Sequence, residues 1–155
     1  MGKEIERKFL VKSNVYKRQG SCSFHLQGYL NTDKERVVRV RIIGEEAWLT
    51  IKGTSTGYTR PEFEYEIPLD DAQFMIREIC EQPYIEKHRC TIEYEGFTWE
   101  VDDFHGENEG LIIAEIELDF EGQEFKRPEW LGEEVTGDPR YYNANLVKNP
   151  YKKWK

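Results

Sequence analysis

Charged side chains recur two residues apart along much of this chain, and most runs carry a single sign. Near the start, Glu4 and Glu6 are followed by Lys8. Arg39 and Arg41 form one basic pair, Lys87 and Arg89 another, and Lys52 stands alone. Glu62 and Glu64, Glu100 and Asp102, and Glu115 and Glu117 are the acidic pairs, with Glu66 extending the first. Like charges two apart on an extended chain sit roughly 7 Å from each other and repel. A wet face mixes its signs and gains nothing from such sorting. Basic groups gathered on one site suit a chain of phosphates, which Arg grips through paired N–H donors. Carboxylates cannot touch phosphate directly, so Mg2+ or Mn2+, which take oxygen ligands, would stand between them.

A spacing of two is the period of a strand, in which alternate side chains point to opposite faces. Apolar residues fill the other phase: Val38, Val40 and Ile42, then Ala47, Leu49 and Ile51, then Phe63, Tyr65 and Ile67. Phe97, Trp99 and Val101, and Ile112, Ala114 and Ile116, repeat the pattern. With 4–10, 24–30 and the less regular 85–94, the spacing predicts eight strands. Turn residues at 31–35, 43–46, 53–61 and 93–97 imply antiparallel neighbours. Helix is scarce. It is expected at 69–83, with Asp70 or Asp71 as N-cap, at 13–20, closed by Gly20, and as short turns within 128–146. The fold class is mostly β (α+β): an eight-stranded antiparallel barrel with a few flanking helices. Eight strands leave a lumen that holds side chains or a small ligand. If the charges point inward, the apolar faces point outward. They then need cover from the helix at 70–82, the C-terminal segment or a second subunit, so a homodimer is expected.

The 155 residues fit one domain, 1–155, with enough chain to bury a core without disulfide staples. A net charge of −8 argues against a nucleic-acid surface. No segment reads as a signal peptide or a membrane span. Cys22, Cys80 and Cys90 have no C-x-x-C spacing and are expected as reduced structural thiols in a cytoplasmic protein. His25, His88 and His105 share no metal-ligand spacing. "GTSTG" (53–57) lacks the lysine of a phosphate loop and is expected to be a mobile loop. Trp130, Tyr141, Tyr142 and Trp154 are expected to pack the C-terminal segment onto the barrel wall, and 148–155 to be a solvated basic tail.

E-x-E-x-K, formed by Glu4, Glu6 and Lys8, resembles the signature of the CYTH superfamily, the triphosphate tunnel metalloenzymes. The resemblance runs in order through "QGYL", "VRVRI", "LTIKG", "TRPEFEYEIP", "KHR", "WEVDDFHG" and "LIIAEIEL", and more weakly through "RYYNANL". It implies an eight-stranded antiparallel barrel and triphosphate hydrolysis with Mg2+ or Mn2+. Carried over by position, Lys8, Arg39, Arg41, Lys52, Lys87 and Arg89 would bind the triphosphate. Glu4, Glu6, Glu62, Glu64, Asp102, Glu115 and Glu117 would hold metal or position water, with Glu4, Glu6 and Lys8 as the catalytic set. Glu100 shares the parity of Asp102, and Glu66 lies nearer a strand end. "LQGYL" and "VRVRI" look closest to the compact bacterial tripolyphosphatase-like branch. Other branches hydrolyse nucleoside or thiamine triphosphates, or cyclise ATP as class IV-type adenylate cyclases. A non-catalytic polyphosphate-binding module is the alternative of another class, and the full set of carboxylates counts against it.

Overall fold

The period-two runs fold as strands. The computed structural model describes residues 2–154. Its strands are β1 (Gly2–Val11), β2 (Ser21–Asn31), β3 (Val37–Ile43), β4 (Glu46–Lys52) and β5 (Thr59–Ile67), followed by β6 (Ile85–Tyr94), β7 (Phe97–Phe104), β8 (Ile112–Glu117) and β9 (Leu131–Glu134). The neighbours run β5-β4-β3-β2-β6-β7-β8-β1, all antiparallel. Gly2–Ile5 then pairs with Glu62–Thr59 of β5, which closes the barrel.

β9 is a ninth strand that the sequence pattern does not reveal. Its four residues were expected within helical turns broken by Gly132. Gly132 serves instead as a point of close approach. A Cβ there would lie 3.0 Å from the Leu10 carbonyl oxygen, so a side chain would push β9 off β1. Arg7 fastens the pair from the outer face, donating from Nε and Nη2 to the two Glu134 carboxylate oxygens at 2.8 and 2.6 Å.

Odd positions of β1 and β7 and even positions of β8 carry the apolar outer wall. Phe9, Trp99, Val101, Ala114 and Ile116 are buried there beneath Tyr16, Trp130 and Leu131. Tyr16 comes from a 3-10 turn, Asn14–Arg18, whose N-cap Ser13 accepts from the Val15 amide. A second cluster sets Val40, Ile42 and Ala47 against Ala72, Ile76 and Cys80. The helix that supplies them is shorter than expected: α1 spans Leu69–Phe74 and continues as a π-helical turn, Met75–Ile79. Pro68, not Asp70 or Asp71, is the N-cap. The two aspartates lie in the first turn, where their charge complements the amide dipole. The helix sits flush because Gly28 of β2 has no side chain; a Cβ there would come within 2.9 Å of Cys80.

The third cluster closes one end of the barrel. α2 (Asn143–Lys148) buries Ala144, Leu146 and Val147 against Tyr29, Val37, Ile85, Phe104 and Ile113. The basic tail is docked rather than simply solvated. The Tyr151 amide donates to Asn108 Oδ1 at 2.8 Å, and Trp154 packs edge-on to Tyr141, while Lys152 and Lys153 stay exposed. The thiol expectation also changes. Cys22 and Cys90 face each other in the β2–β6 register and form a disulfide, and Cys80 alone is a free, buried thiol. Sequence spacing cannot show such a pair, because pairing between strands brings together residues 68 apart. Ile51, Phe63 and Tyr65 remain exposed on the outer face of β4 and β5, the face on which the expected second subunit would sit.

Trp99 is the centre of the largest cluster, fully buried and edge-on to Phe9, Phe125 and Trp130 at 5.6–5.8 Å. Trp99→Ala should lower unfolding free energy by about 3–5 kcal/mol in a denaturant titration. A loss under about 1 kcal/mol would show that the outer wall is not the core.

Candidate active site

Even positions of β1 face the lumen, and so do the charged phases of the other strands. They line a cavity of about 330 Å³. Of the expected site residues, Glu4, Glu6, Lys8, Arg39, Arg41, Lys52, Glu62, Glu64, Lys87, Arg89, Glu115 and Glu117 all line it, together with Glu100. Glu66 does not.

Asp102 also stands apart. It is buried on the lumen face, outside the cavity lining, and accepts from Lys87 Nζ at 2.8 Å and from Arg89 Nε and Nη2 at 2.7 and 2.9 Å. Expected as a metal ligand, it is committed in this geometry to aiming two cations. Strand parity identified its face but not its depth.

The sorting of charge by strand now has a physical account, since acids on one strand answer bases on another. Lys8 lies between Glu6 and Glu115 at 3.6 and 3.5 Å. Lys52 meets Glu4 at 2.7 Å and Glu62 at 3.5 Å. Arg89 reaches Glu100 and Glu115 besides Asp102. Arg39 and Arg41 both approach Glu64, at 3.7 and 3.3 Å. Thr50 links that group, accepting from Arg39 at 3.2 Å and donating to Glu64 at 2.9 Å.

Neutral partners escaped the sequence reading. Thr50 and Gln27 share the inward parity, but neither has a charge to mark it. Asn143 begins α2, where no strand parity applies. Its Oδ1 accepts from both Gln27 Nε2 and Lys87 Nζ at 2.9 Å, which ties the C-terminal segment to the lumen. Ser55 and Gly57, from the loop expected to be mobile, border the cavity, as does the adjacent Tyr58.

The family model for the CYTH domain matches residues 2–150. The chain belongs to the CYTH family. It is 57% identical, over all of its own length and 99% of the relative's, to a protein of Acetivibrio thermocellus named inorganic triphosphatase. A Nitrosomonas europaea protein of the same name is 38% identical, with 93% of this chain and 96% of that one covered. Among solved structures, an inorganic triphosphatase superposes with a TM-score of 0.68 at 34% identity, covering 95% of each chain.

Neighbouring carboxyls in the CYTH lumen are shifted in opposite directions. Burial, then the nearby Glu115 charge, pushes the Glu6 carboxyl up to about 8. Glu115 goes the other way: against the cost of burial, Lys8 and a hydrogen bond from Glu6 hold it ionised, well below its usual range. Glu4 and Glu62 repeat the arrangement. Burial and the Glu4 charge raise Glu62, while Lys52 outweighs burial and lowers Glu4. Carboxyls that stand in proton-sharing pairs are oxygen ligands in want of positive charge, so the donor set fits a hard divalent cation. Among the described residues no three such ligands are already clustered. Burial draws Lys87 down to about 7 even beside Asp102. Against the cost of burial, Arg89 and then Lys87 hold the Asp102 carboxyl well below its usual range.

Glu6 therefore carries a pH signature. The unfolded carboxyl releases its proton near 4.5, and the folded one keeps it to about 8. Between those values the folded state binds more protons, so Glu6 costs stability as pH rises. In metal-free protein, the stability of the parent relative to Glu6→Gln should fall from pH 5 to pH 8. Urea midpoints for both proteins test this. A difference that does not change with pH would remove the shared proton.

Proposed function

We propose that this chain hydrolyses inorganic tripolyphosphate, bound in the barrel lumen with Mg2+ or Mn2+. The observation that carries the reading is the lumen wall itself, in which every one of the expected phosphate-binding cations is held beside a carboxylate. The names of the full-length relatives support the same substrate.

Lys8, Arg39, Arg41, Lys52, Lys87 and Arg89 would take the phosphate oxygens, their N–H groups turning from carboxylate to phosphate. Asp102 and Asn143 hold Lys87 in direction while it does so. Glu4, Glu6, Glu62, Glu64, Glu115 and Glu117 would hold the divalent cation. When bound, that cation neutralises charge on the phosphoryl oxygens and acidifies a coordinated water. Glu4 and Glu6 would place the attacking water in line with a terminal phosphorus. The water oxygen bonds to phosphorus as the bridging P–O bond breaks, giving phosphate and pyrophosphate, and the water proton passes to solvent or a carboxylate. Lys8 would stabilise the charge that develops on the oxygens. Cyclase chemistry would replace the water with a ribose hydroxyl.

Phosphate release from tripolyphosphate, ATP and thiamine triphosphate, compared side by side with Mg2+ or Mn2+, tests the reading. Tripolyphosphate should be turned over fastest, and excess EDTA should abolish turnover. Glu4→Gln or Glu6→Gln should lower kcat far more than it raises KM. Lys52→Ala and Arg41→Ala should chiefly weaken substrate binding, by about 1.5–3 kcal/mol each. Full activity in EDTA would refute the metal role. Cyclic AMP and pyrophosphate from ATP would assign the cyclase reaction instead.

A further inference from the structure

One lumen cation differs from those already assigned. Arg60 lines the cavity, yet no carboxylate of the described residues lies within ion-pair distance of it. Its guanidinium is fixed by two backbone carbonyls instead. Nε donates to Gly53 O at 2.7 Å and Nη2 to Lys34 O at 2.9 Å. Those bonds use two of its five N–H groups, leaving both Nη1 hydrogens and one on Nη2. Lys34 lines the same cavity and likewise has no carboxylate partner among the described residues.

Position in the barrel gives the charge a use. Lys52 pairs with Glu62 and with Val37, and Arg60 lies two residues before Glu62 on the same strand face. Val37 belongs to the cluster that α2 covers. Arg60 therefore sits beyond Lys52, towards the covered end of the tunnel. Every other assigned cation is already neutralised in part by glutamate or aspartate. Arg60 offers a full charge and free donors in a fork, the geometry that phosphate oxygens take.

We propose that Arg60 is a further substrate-binding residue, holding a terminal phosphate of the polyphosphate at the covered end of the tunnel. The proposal rests on the triphosphate reading above. Arg60 also tethers two loops, so charge and tether must be separated. Arg60→Gln can keep a carbonyl bond but loses the charge, whereas Arg60→Lys keeps the charge and gives up the fork.

Binding of a non-hydrolysable tripolyphosphate analogue is measured by calorimetry in the presence of Mg2+, with the melting temperature of each protein alongside. Arg60→Gln should bind at least tenfold more weakly, the loss of one charge-assisted contact, while Arg60→Lys, which keeps the charge without the fork, should fall between that variant and the parent. Equal weakening of both variants would make Arg60 a tether only, and unchanged binding would remove it from the site. A measurement on the parent needs no variant: tripolyphosphate should protect Arg60 from phenylglyoxal, read by mass spectrometry. Modification of Arg60 at the same rate with and without ligand would overturn the proposal. A parent that binds no tripolyphosphate at all would instead sink the triphosphate reading.

Discussion

A cation cannot be taken out of water without an anion beside it, and the rest of this barrel follows from that constraint. Lys8 and Lys87 are almost wholly buried. An isolated ammonium in such a place costs several kcal/mol, and the attraction of a close carboxylate is what offsets it. Neighbouring strands supply those carboxylates only in one register. A slip of one residue would turn Lys8 and Glu115 outward and force Phe9 and Ala114 into the lumen. Pairing of charge across strands thus specifies the barrel as firmly as hydrophobic contact does in other folds.

A lumen lined mostly with charge leaves little room for an apolar core, so two of the three clusters lie on the outer wall and the third fills one end. This explains why so much of the chain that is not barrel serves as cover. Trp130 and Tyr16 shield β1, β7 and β8. Ala72 and Ile76 shield β3 and β4. α2 closes an end. On the outer wall of β5, Ile67 packs against the cluster of Ala72 and Ile76, while Phe63 and Tyr65 are exposed.

How much could be read in advance depends on whether a residue carries both a period and a charge. The lumen face of β1, β3, β5 and β8 was legible because both signals coincide there. Thr50, Gln27 and Asn143 have no charge, so their place in the network had no sign in the sequence. Asp102 had both signals, but alternation reports a face and not a depth, and Lys87 and Arg89 cover this carboxylate. β9 was missed because four residues around a glycine are too short for a period to register. Gly132 looked like a helix breaker, when what it supplies is contact with the Leu10 carbonyl. The Cys22–Cys90 bond depends on β2 and β6 being neighbours, and nothing local specifies that pairing.

The same compensation decides what the tunnel can accept. In the resting lumen the acids already serve the bases, and the two charges are close to balance. A polyphosphate that entered alone would claim the N–H groups of Lys8, Lys52 and Arg89 and strand Glu4, Glu6 and Glu115 without counter-charge. Its own negative charge would then lie beside theirs. Divalent cations entering with it would remove that repulsion, since they bind the released carboxylates and the phosphate oxygens together. Burial and a neighbouring carboxylate raise both Glu6 and Glu62 above the usual carboxylate range, the direction that added positive charge would reverse. Under the proposed reading, substrate and metal would be coupled ligands of this lumen, each lowering the electrostatic cost of the other, and the coupling would come from the wall rather than from any separate device.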